Sequence, residues 1–295
     1  MKNILVVTDF SDASKNASRY AVELARHFGS KLFLFNAYQV PVQVPESYLI
    51  YNTEDVWEGV KTLLEKEKNM INPGDLVNIE ICGAEGVPVH AILSEVISRK
   101  ADLIICGMKG MAKALKKILG STTSALIRKS DIPMIVVPED ASFRQPGKIA
   151  LACDMDPETA AATVDMLKTI AGKFNAVLSV VWVVDEGVDG ANEMRFHRSG
   201  FINELKNMNP VFEFPKGSNI IKTLEGFVKT KGMDILAMIP HKHDWIERLF
   251  TETITKNMLF HTDIPLLVLP QKKIKEKIDP VNDDQKKIQA LDYIF

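Results

Sequence analysis

Three glycines in the first half of the chain have a spacing that suits a phosphate-binding loop. Gly107, Gly110 and Gly120 are separated by two and nine residues, and Ser121 follows the last of them directly. The segment comes after an apolar, strand-like run at 103–106 and before a helix-like stretch. Backbone N–H groups of such a loop can face a phosphate, and glycine lets the chain approach it closely. The spacing therefore predicts a nucleotide site at the carboxyl end of a strand.

A carboxylate is expected at a second strand end. Asp9 follows the apolar run 3–8, which is typical of a strand buried on both faces of a parallel sheet. If this strand neighbours the one before the glycine loop, both features face one crevice. The carboxylate suits a pair of ribose hydroxyls, while the loop amides and the hydroxyls of Ser121 and Thr122 suit phosphate oxygens. The alternative is that the glycines form turns and that Asp9 caps a helix.

Length and composition favour a globular protein of two domains. The chain has 295 residues, of which 46% are hydrophobic. A net charge of −2 gives no electrostatic reason to bind nucleic acid or an anionic membrane. Cys82, Cys106 and Cys153 lie in strand-like runs, which is typical of reduced core thiols. Because the first residues show no signal-peptide pattern, a cytoplasmic location is expected.

The chain contains an internal repeat. NILVVTD at 3–9 is similar to KIALACD at 148–154, and DIPMIVVP at 131–138 is similar to DIPLLVLP at 263–270. Self-similarity over this length indicates that a whole domain has been duplicated.

The repeat predicts two domains and a tail. The domains are expected at 1–140 and 146–271, separated by a polar segment that contains proline and glycine. Residues 272–295 lie outside the repeat and are charged. They are interpreted as a solvated tail, or alternatively as a helix that packs on the body or on a partner.

Each half alternates strand-like and helix-like segments, which predicts an α/β fold with a parallel sheet and helices on both faces. In the first half, strands are expected at 3–8, 31–37, 76–82, 103–106 and 134–137, and helices near 12–28, 53–70, 88–99 and 121–129. In the second half, strands are expected near 148–153, 175–184, 210–214, 234–239 and 265–269.

Finer details of these elements are also predicted. Asp12 or Ser14 is expected to cap the first helix, and Gly29 to end it. Trp182 is expected inside a core strand. The second helix is expected to bury a stripe formed by Val56, Val60, Leu63 and Leu64.

Together these features resemble the universal stress protein family. The family's nucleotide signature, G-2x-G-9x-G-[ST], is matched fully by the three glycines and Ser121. Asp9, in VVTDFSDAS, matches the ribose-contacting aspartate of the family. The resemblance extends over about residues 1–271. It implies two doubly wound, parallel-sheet sandwich domains in tandem, similar to flavodoxin-like and adenine nucleotide alpha hydrolase-like folds and arranged as a pseudo-dimer.

The resemblance also implies the ligand and its contacts. The ligand would be ATP or AMP. By its ordinary chemistry, Mg²⁺ on the ATP phosphates would be held mainly through water and Ser or Thr groups. Val7, Thr8 and Ala37 would border the adenine, while Cys106 and Thr122 would flank the phosphate loop. The predicted nucleotide-binding residues are Val7, Thr8, Asp9, Ala37, Cys106, Gly107, Gly110, Gly120, Ser121 and Thr122.

The second half departs from this pattern. Asp154 stands at the position of Asp9, but the three glycine positions and the serine position are occupied by Ile239, Lys242, Glu252 and Thr253. Bulky side chains would crowd a phosphate, and an acidic one would repel it. The second half is therefore expected to bind no nucleotide and to serve in packing, in dimerisation or in binding something else. His241 and His243 are read as part of a polar loop, with a ligand role as the alternative.

Three functions are compatible with the sequence. The favoured one is a stress-response regulator that holds a nucleotide in the first domain and signals its presence to a protein partner. The alternatives are a chaperone-like or scaffold protein that needs no nucleotide, and an enzyme with slow ATP hydrolysis. Ser121 has no recognisable base partner, so catalytic residues are not assigned. The last strand of each half is expected to pair the two domains, and a further homodimer is compatible with this arrangement.

Overall fold

The structure is a computed structural model that describes residues 1–40, 53–108, 120–153, 159–184, 200–240 and 263–271. Within these ranges, ten strands form one sheet with helices on both faces. The architecture is therefore α/β with mostly parallel strands, as the alternating segments predicted. In the same ranges, no helix is both long enough and apolar enough to cross a membrane.

The first half contributes strands β1 (Asn3–Val7), β2 (Lys31–Tyr38), β3 (Ile79–Glu85), β4 (Leu103–Met108) and β5 (Met134–Pro138). Its helices are α1 (Asp12–Phe28), α2 (Thr53–Ile71), α3 (Pro88–Ser98) and α4 (Ser121–Lys129).

The second half contributes strands β6 (Lys148–Ala152), β7 (Val177–Val181), β8 (Val211–Glu213), β9 (Ile235–Met238) and β10 (Leu266–Val268). Its helices are α5 (Asp165–Phe174), α6 (Gly200–Leu205) and α7 (Ile220–Lys231). Short 3-10 turns lie before α5, at Ala161–Val164, and after α6, at Lys206–Met208.

The strand order places a crevice between β1 and β4. Across the sheet, the order is β3-β2-β1-β4-β5-β10-β9-β6-β7-β8. Along the first half, the chain moves outwards from β1 to β3 and then returns to the other side of β1 at β4, to which β1 is paired in parallel. In open parallel sheets, such a reversal leaves room for a ligand at the carboxyl ends of the strands. The second half has the same order, with β6 and β9 as the central pair.

The two halves join through their last strands. β5 pairs antiparallel with β10, with Ile135 opposite Leu267 and both side chains fully buried. This is the predicted pairing of the terminal strands. Because the junction is antiparallel, the carboxyl ends of the two sets of parallel strands point to opposite edges of the sheet.

Equivalent residues of the two halves meet beside this junction. Phe28 and Phe174 are the last residues of α1 and α5, and their rings lie 5.8 Å apart in an edge-to-face arrangement. Each is followed by a residue in the left-handed conformation, Gly29 or Asn175, which ends the helix. Gly29 was predicted to end α1, and this is confirmed.

Side chains that alternate along each strand contribute to two apolar layers, one on each face of the sheet. In β1, Ile4 and Val6 face the layer that includes α1 and α2, whereas Leu5 faces the layer that includes α3 and α4. Both layers continue across β10 into the second half. The core therefore holds β1 and β4 rigidly from both sides, and their carboxyl ends carry the residues considered below.

Several sequence predictions about helices are corrected by the structure. Ser11, and not Asp12 or Ser14, caps α1, since its hydroxyl accepts the N–H of Ser14. Leu63 is 47% exposed instead of buried, because the inward stripe of α2 runs through Leu64, Glu67 and Ile71. A carboxylate on this stripe was not anticipated.

Two strand predictions are also corrected. β3 begins at Ile79, three residues later than expected, because a turn with Asp75 in the left-handed conformation precedes it and leaves Leu76 exposed. β7 ends at Val181, so Trp182 lies just beyond the strand and is half-buried.

Candidate functional site

A cavity of about 410 Å³, here called the β1–β4 cavity, opens at the carboxyl ends of these two strands. Small-molecule sites commonly enclose roughly 300–1,000 Å³. Nine of the ten residues predicted from the sequence line it, namely Val7, Thr8, Asp9, Ala37, Cys106, Gly107, Gly120, Ser121 and Thr122. Gly110 lies outside the described residues. The structure therefore brings together residues that the sequence places up to 115 positions apart, from Val7 to Thr122.

Sequence reasoning missed several other lining residues, namely Ser11, Ala13, Ser14, Asn36, Pro88, Ile92, Thr123 and Leu126. One of them carried a signal, since Asn36 is a polar residue in the otherwise apolar run LFLFNA. Its side-chain N–H donates to the carbonyl oxygen of Thr8 over 2.8 Å, which ties the end of β2 to the end of β1. Pro88 and Ile92 come from the first turns of α3 and form an apolar wall.

Asp9 is carried by a tight turn between β1 and α1. Phe10 has φ 64°, a left-handed conformation that is uncommon for a bulky side chain. Its N–H donates to the hydroxyl of Thr8 over 3.0 Å, and the N–H of Ser11 donates to Oδ1 of Asp9 over 3.1 Å. These two bonds hold a conformation that is costly by itself. Residues 8–11 are called the Asp9 turn below.

The environment of Asp9 favours its ionised form. Partial burial of the carboxylate opposes ionisation, but hydrogen bonds from Ser11 and Ser14 outweigh it, so the pKa of Asp9 lies below its ordinary value. The carboxylate is consequently ionised throughout the neutral pH range. It can accept hydrogen bonds from a ligand but has no proton to donate.

A second carboxylate lies beneath the Asp9 turn. Glu67 of α2 is 1% exposed. Its two oxygens accept hydrogen bonds from the hydroxyls of Thr8, over 2.9 Å, and Ser18, over 2.7 Å. Because the Thr8 hydroxyl also accepts the N–H of Phe10, a chain of hydrogen bonds runs from α2 to the turn that presents Asp9. Glu67 is thus a positioning residue that the sequence pattern did not reveal.

The opposite side of the cavity is the N-terminus of α4. Gly120 is its N-cap residue, and no described side chain caps the helix there. Ser121, Thr122 and Thr123 bring their hydroxyls to this end, and all three line the cavity. The first N–H groups of a helix and its macrodipole attract anions. This side of the cavity is therefore suited to a negatively charged group.

The structure describes two glycines of the signature, and each position has a different structural reason for a glycine. Gly107 was predicted to begin a loop, but it lies within β4, where it pairs with Val137 of β5. A Cβ at Gly107 would come within 2.5 Å of the carbonyl oxygen of Ala13, so the first turn of α1 approaches this strand too closely for any side chain. This glycine is therefore required by packing within a strand, and it also lines the cavity, so its contact with a phosphate stays a prediction.

Gly120 is not required by the fold in the same way. Its φ of −61° and ψ of 151° are accessible to any residue. A Cβ built at Gly120 would meet none of the described atoms within 4 Å. The space beside it belongs to the β1–β4 cavity, so a small residue here keeps that space open for a ligand.

Cys106 is a structural part of the cavity floor. Burial raises the pKa of its thiol to about 12, although a hydrogen bond with Thr123 acts in the opposite direction. The thiol therefore stays protonated at neutral pH, and a thiolate nucleophile is not available at this position.

In the second half, one substituted signature position is described. Ile239 follows β9 at the position of Gly107 and is 3% exposed. Its side chain belongs to the apolar layer that includes α5, the counterpart of α1, and the regular helix α5 begins at Asp165 after a 3-10 turn. The other positions of interest, Asp154, His241, Lys242, His243, Glu252 and Thr253, lie outside the described residues.

The fold is that of a tandem, doubly wound α/β protein with a cavity at a strand reversal. Residues 1–138 match the model of the universal stress protein family. Universal stress protein MJ0531 from Methanocaldococcus jannaschii is 30% identical over 145 residues, which cover 46% of this chain and 81% of that protein. The chain belongs to the universal stress protein family.

Two further comparisons extend through both halves. Universal stress protein Slr1230 from Synechocystis sp. is 23% identical over an alignment of 300 residues, covering 90% of this chain and 99% of that protein. The crystal structure of a universal stress protein from Archaeoglobus fulgidus superposes with a TM-score of 0.71 at 15% identity, covering 92% of this chain and 98% of that chain. The tandem fold is therefore shared with this solved crystal structure.

The contrast between the two glycines can be tested by matched substitutions. Gly107→Ala is expected to lower the free energy of unfolding by about 1–3 kcal/mol, because the added methyl group collides with the backbone at Ala13. Gly120→Ala should change it by less than about 0.5 kcal/mol. Urea denaturation followed by circular dichroism measures both. Equal losses in the two variants would contradict the packing reason given for Gly107.

The positioning role of Glu67 predicts a graded effect. Glu67→Ala should lower the free energy of unfolding by about 2–4 kcal/mol, because the hydroxyls of Thr8 and Ser18 lose their acceptors and a void remains. Glu67→Gln retains one acceptor oxygen and should lose clearly less. The same urea measurement tests this order of stability. The control is the substitution Glu58→Ala, at an exposed position of α2. If Glu67→Gln is no more stable than Glu67→Ala, the hydrogen-bonding role of Glu67 is refuted.

Proposed function

We propose that the β1–β4 cavity binds an adenine nucleotide, ATP or AMP, and that the bound nucleotide regulates the protein in a stress response. The observation that carries this proposal is the placement of an ionised carboxylate and an uncapped helix N-terminus on one cavity. A nucleotide has the complementary groups, since its ribose donates hydrogen bonds and its phosphates are anionic.

The base and ribose would lie at the β1 and β2 side of the cavity. Val7, Ala37 and Ile92 offer apolar surface on the sheet and on α3, which suits the faces of a flat ring. Asp9 would accept hydrogen bonds from the two ribose hydroxyls, in agreement with its ionised state. The Glu67–Thr8 hydrogen bond would keep Asp9 in place for this contact.

The phosphates would lie at the N-terminus of α4. The backbone N–H groups there, together with the hydroxyls of Ser121 and Thr122, can surround phosphate oxygens. Gly120 leaves room for close approach. Mg²⁺ would be held by the phosphates, with hydroxyl and water oxygens completing its shell. Gly110 would belong to the same phosphate contact by its place in the family signature.

Binding is favoured over turnover as the main activity. Among the described residues that line the cavity, Asp9 is the acidic one, and the ribose already requires it. Hydrolysis needs a group that orients or deprotonates a water at the terminal phosphate, and neither Ser121 nor the protonated Cys106 thiol can supply it. We therefore infer at most slow hydrolysis. Phosphate contacts at α4 would instead order the neighbouring surface for a protein partner.

A cytoplasmic location is part of this proposal. Cys82, Cys106 and Cys153 are all buried thiols, which suits a reducing compartment where nucleotides are abundant. Homodimerisation and the existence of a protein partner remain predictions from the sequence.

Gly120→Val is the direct test of the phosphate contact. Its two methyl groups enter the space beside α4, so the variant should purify with little nucleotide while its stability stays close to that of the unchanged chain. Mass spectrometry of nucleotide released from freshly purified protein should give about one ATP or AMP per chain for the unchanged protein. No released nucleotide, followed by no calorimetric binding, would favour a nucleotide-independent scaffold. Two nucleotides per chain would contradict the assignment to the first half alone.

The ribose contact can be tested separately by Asp9→Asn. The amide oxygen can still accept the N–H of Ser11, so the turn is retained while the charge is lost. The affinity for ATP should fall by about 10- to 100-fold, as expected for hydrogen bonds to a charged group. The affinity for 2′,3′-dideoxy-ATP should be nearly the same for both proteins. A parallel loss for both nucleotides in calorimetry would place Asp9 away from the ribose.

A further inference from the structure

A second, smaller cavity lies in the second half of the chain, at the carboxyl ends of β6 and β7. It has a volume of about 120 Å³ and is called the β6–β7 cavity here. Its lining includes Ala152, Cys153, Val181, Val183, Ile220 and Leu224. Because the two halves pair antiparallel, this cavity opens at the opposite edge of the sheet from the β1–β4 cavity.

Backbone hydrogen bonds show that the two cavities occupy corresponding places in the fold. In the first half, the N–H of Thr8 donates to the carbonyl oxygen of Phe35 over 2.9 Å, just beyond the end of β1. In the second half, the N–H of Cys153 donates to the carbonyl oxygen of Val181 over 3.4 Å, just beyond the end of β6. Cys153 therefore corresponds to Thr8.

The wall residues correspond as well. Ala37 lies two residues beyond Phe35, and Val183 lies two residues beyond Val181. On the helix side, Pro88 and Ile220 are the first residues of α3 and α7, and both line their cavities. The β6–β7 cavity is therefore the counterpart of the apolar end of the β1–β4 cavity, the end assigned above to a flat base.

The chemistry of the counterpart differs in its polar groups. Among the described residues of its lining, none carries a charge, and Cys153 replaces the hydroxyl of Thr8. A phosphate placed here would lose its hydration without gaining a charged partner among the described lining residues. An apolar cavity of about 150 Å³ is known to hold a single benzene ring. The β6–β7 cavity is smaller, at about 120 Å³, but it is open at the strand ends, so its apolar walls can cover part of one uncharged ring.

One polar edge is available to such a ring. The N–H groups of Trp182 and Val184 donate to the carbonyl oxygens of Glu213 and Pro215, towards β8. Backbone groups alternate in direction along an extended segment, so the N–H and C=O of Val183 point the other way, towards the end of β6. This is the side on which the cavity lies.

We propose that the β6–β7 cavity binds an uncharged, single-ring aromatic compound whose polar edge bonds to the backbone of Val183. The second half is then a ligand-binding domain, and not a silent copy of the first. The choice of a flat ring rests on the base position proposed for the first half, but binding at each cavity can be measured separately because the two cavities open at opposite edges of the sheet.

The probe is 4-fluorophenol, which is neutral at pH 7, observed by ¹⁹F NMR with the full chain. Two reciprocal variants fill one cavity each, Val183→Phe and Ala37→Phe, and both positions are half-buried. Val183→Phe should weaken binding of 4-fluorophenol by about tenfold or more and leave ATP binding unchanged. Ala37→Phe should weaken ATP binding and leave 4-fluorophenol binding unchanged. Circular dichroism checks that each variant is folded.

If Val183→Phe does not fold, Ile220→Phe provides the same test, because Ile220 is half-buried at the first turn of α7. The inference is wrong if the unchanged chain does not bind 4-fluorophenol, or if folded filled variants bind it as well as the unchanged chain does. Displacement of 4-fluorophenol by excess ATP would place the ring in the β1–β4 cavity and would also overturn it. Failure of ATP binding alone would affect the proposed nucleotide site and not this one.

Discussion

The close approach of α1 to β4 is the contact on which the β1–β4 cavity depends. At Gly107 the absent side chain leaves room for the backbone at Ala13, and this places the first turn of α1 beside the strand end. The short connection from β1 must then reverse within a few residues, which forces Phe10 into a left-handed conformation. Asp9 is presented by this reversal. The position of the ionised carboxylate therefore follows from a backbone contact with a different strand.

Hydrogen bonds to Glu67 of α2 and to Thr8 hold the Asp9 turn in one arrangement. A buried carboxylate is costly unless its oxygens are satisfied, and Glu67 is satisfied by the hydroxyls of Thr8 and Ser18. The same Thr8 hydroxyl accepts the N–H of Phe10, so the hydrogen bonds of the strained residue and of the buried Glu67 side chain support one arrangement. On the other side, no side chain of the described residues caps α4, so its first amides are available for hydrogen bonds. The polar groups of the cavity, the Asp9 carboxylate and the first amides of α4, thus lie where a ligand could form hydrogen bonds with them.

The two halves show which parts of such a domain tolerate change. Their strand order is the same, and apolar positions differ freely between them, because cores accept swaps of similar volume. Position 107 is different, because its glycine is required by the close approach of the Ala13 backbone. With Ile239 at the corresponding position, α5 begins after a 3-10 turn, and the smaller apolar cavity remains at the strand ends. The antiparallel junction of β5 and β10 places the two sets of strand ends at opposite edges of the sheet.

The sequence by itself determined the order of elements, because apolar runs and their glycine and proline boundaries are local properties of the chain. It placed α4 at 121–129 and ended α1 at Gly29, and the family resemblance of its motifs selected nine residues that line one cavity. Tertiary structure decided the rest. Glu67 bonds to Thr8 from 59 residues away, and Gly107 is required by a contact with Ala13. Periodicity reports which face of a segment is buried, but it does not report which distant atoms meet there.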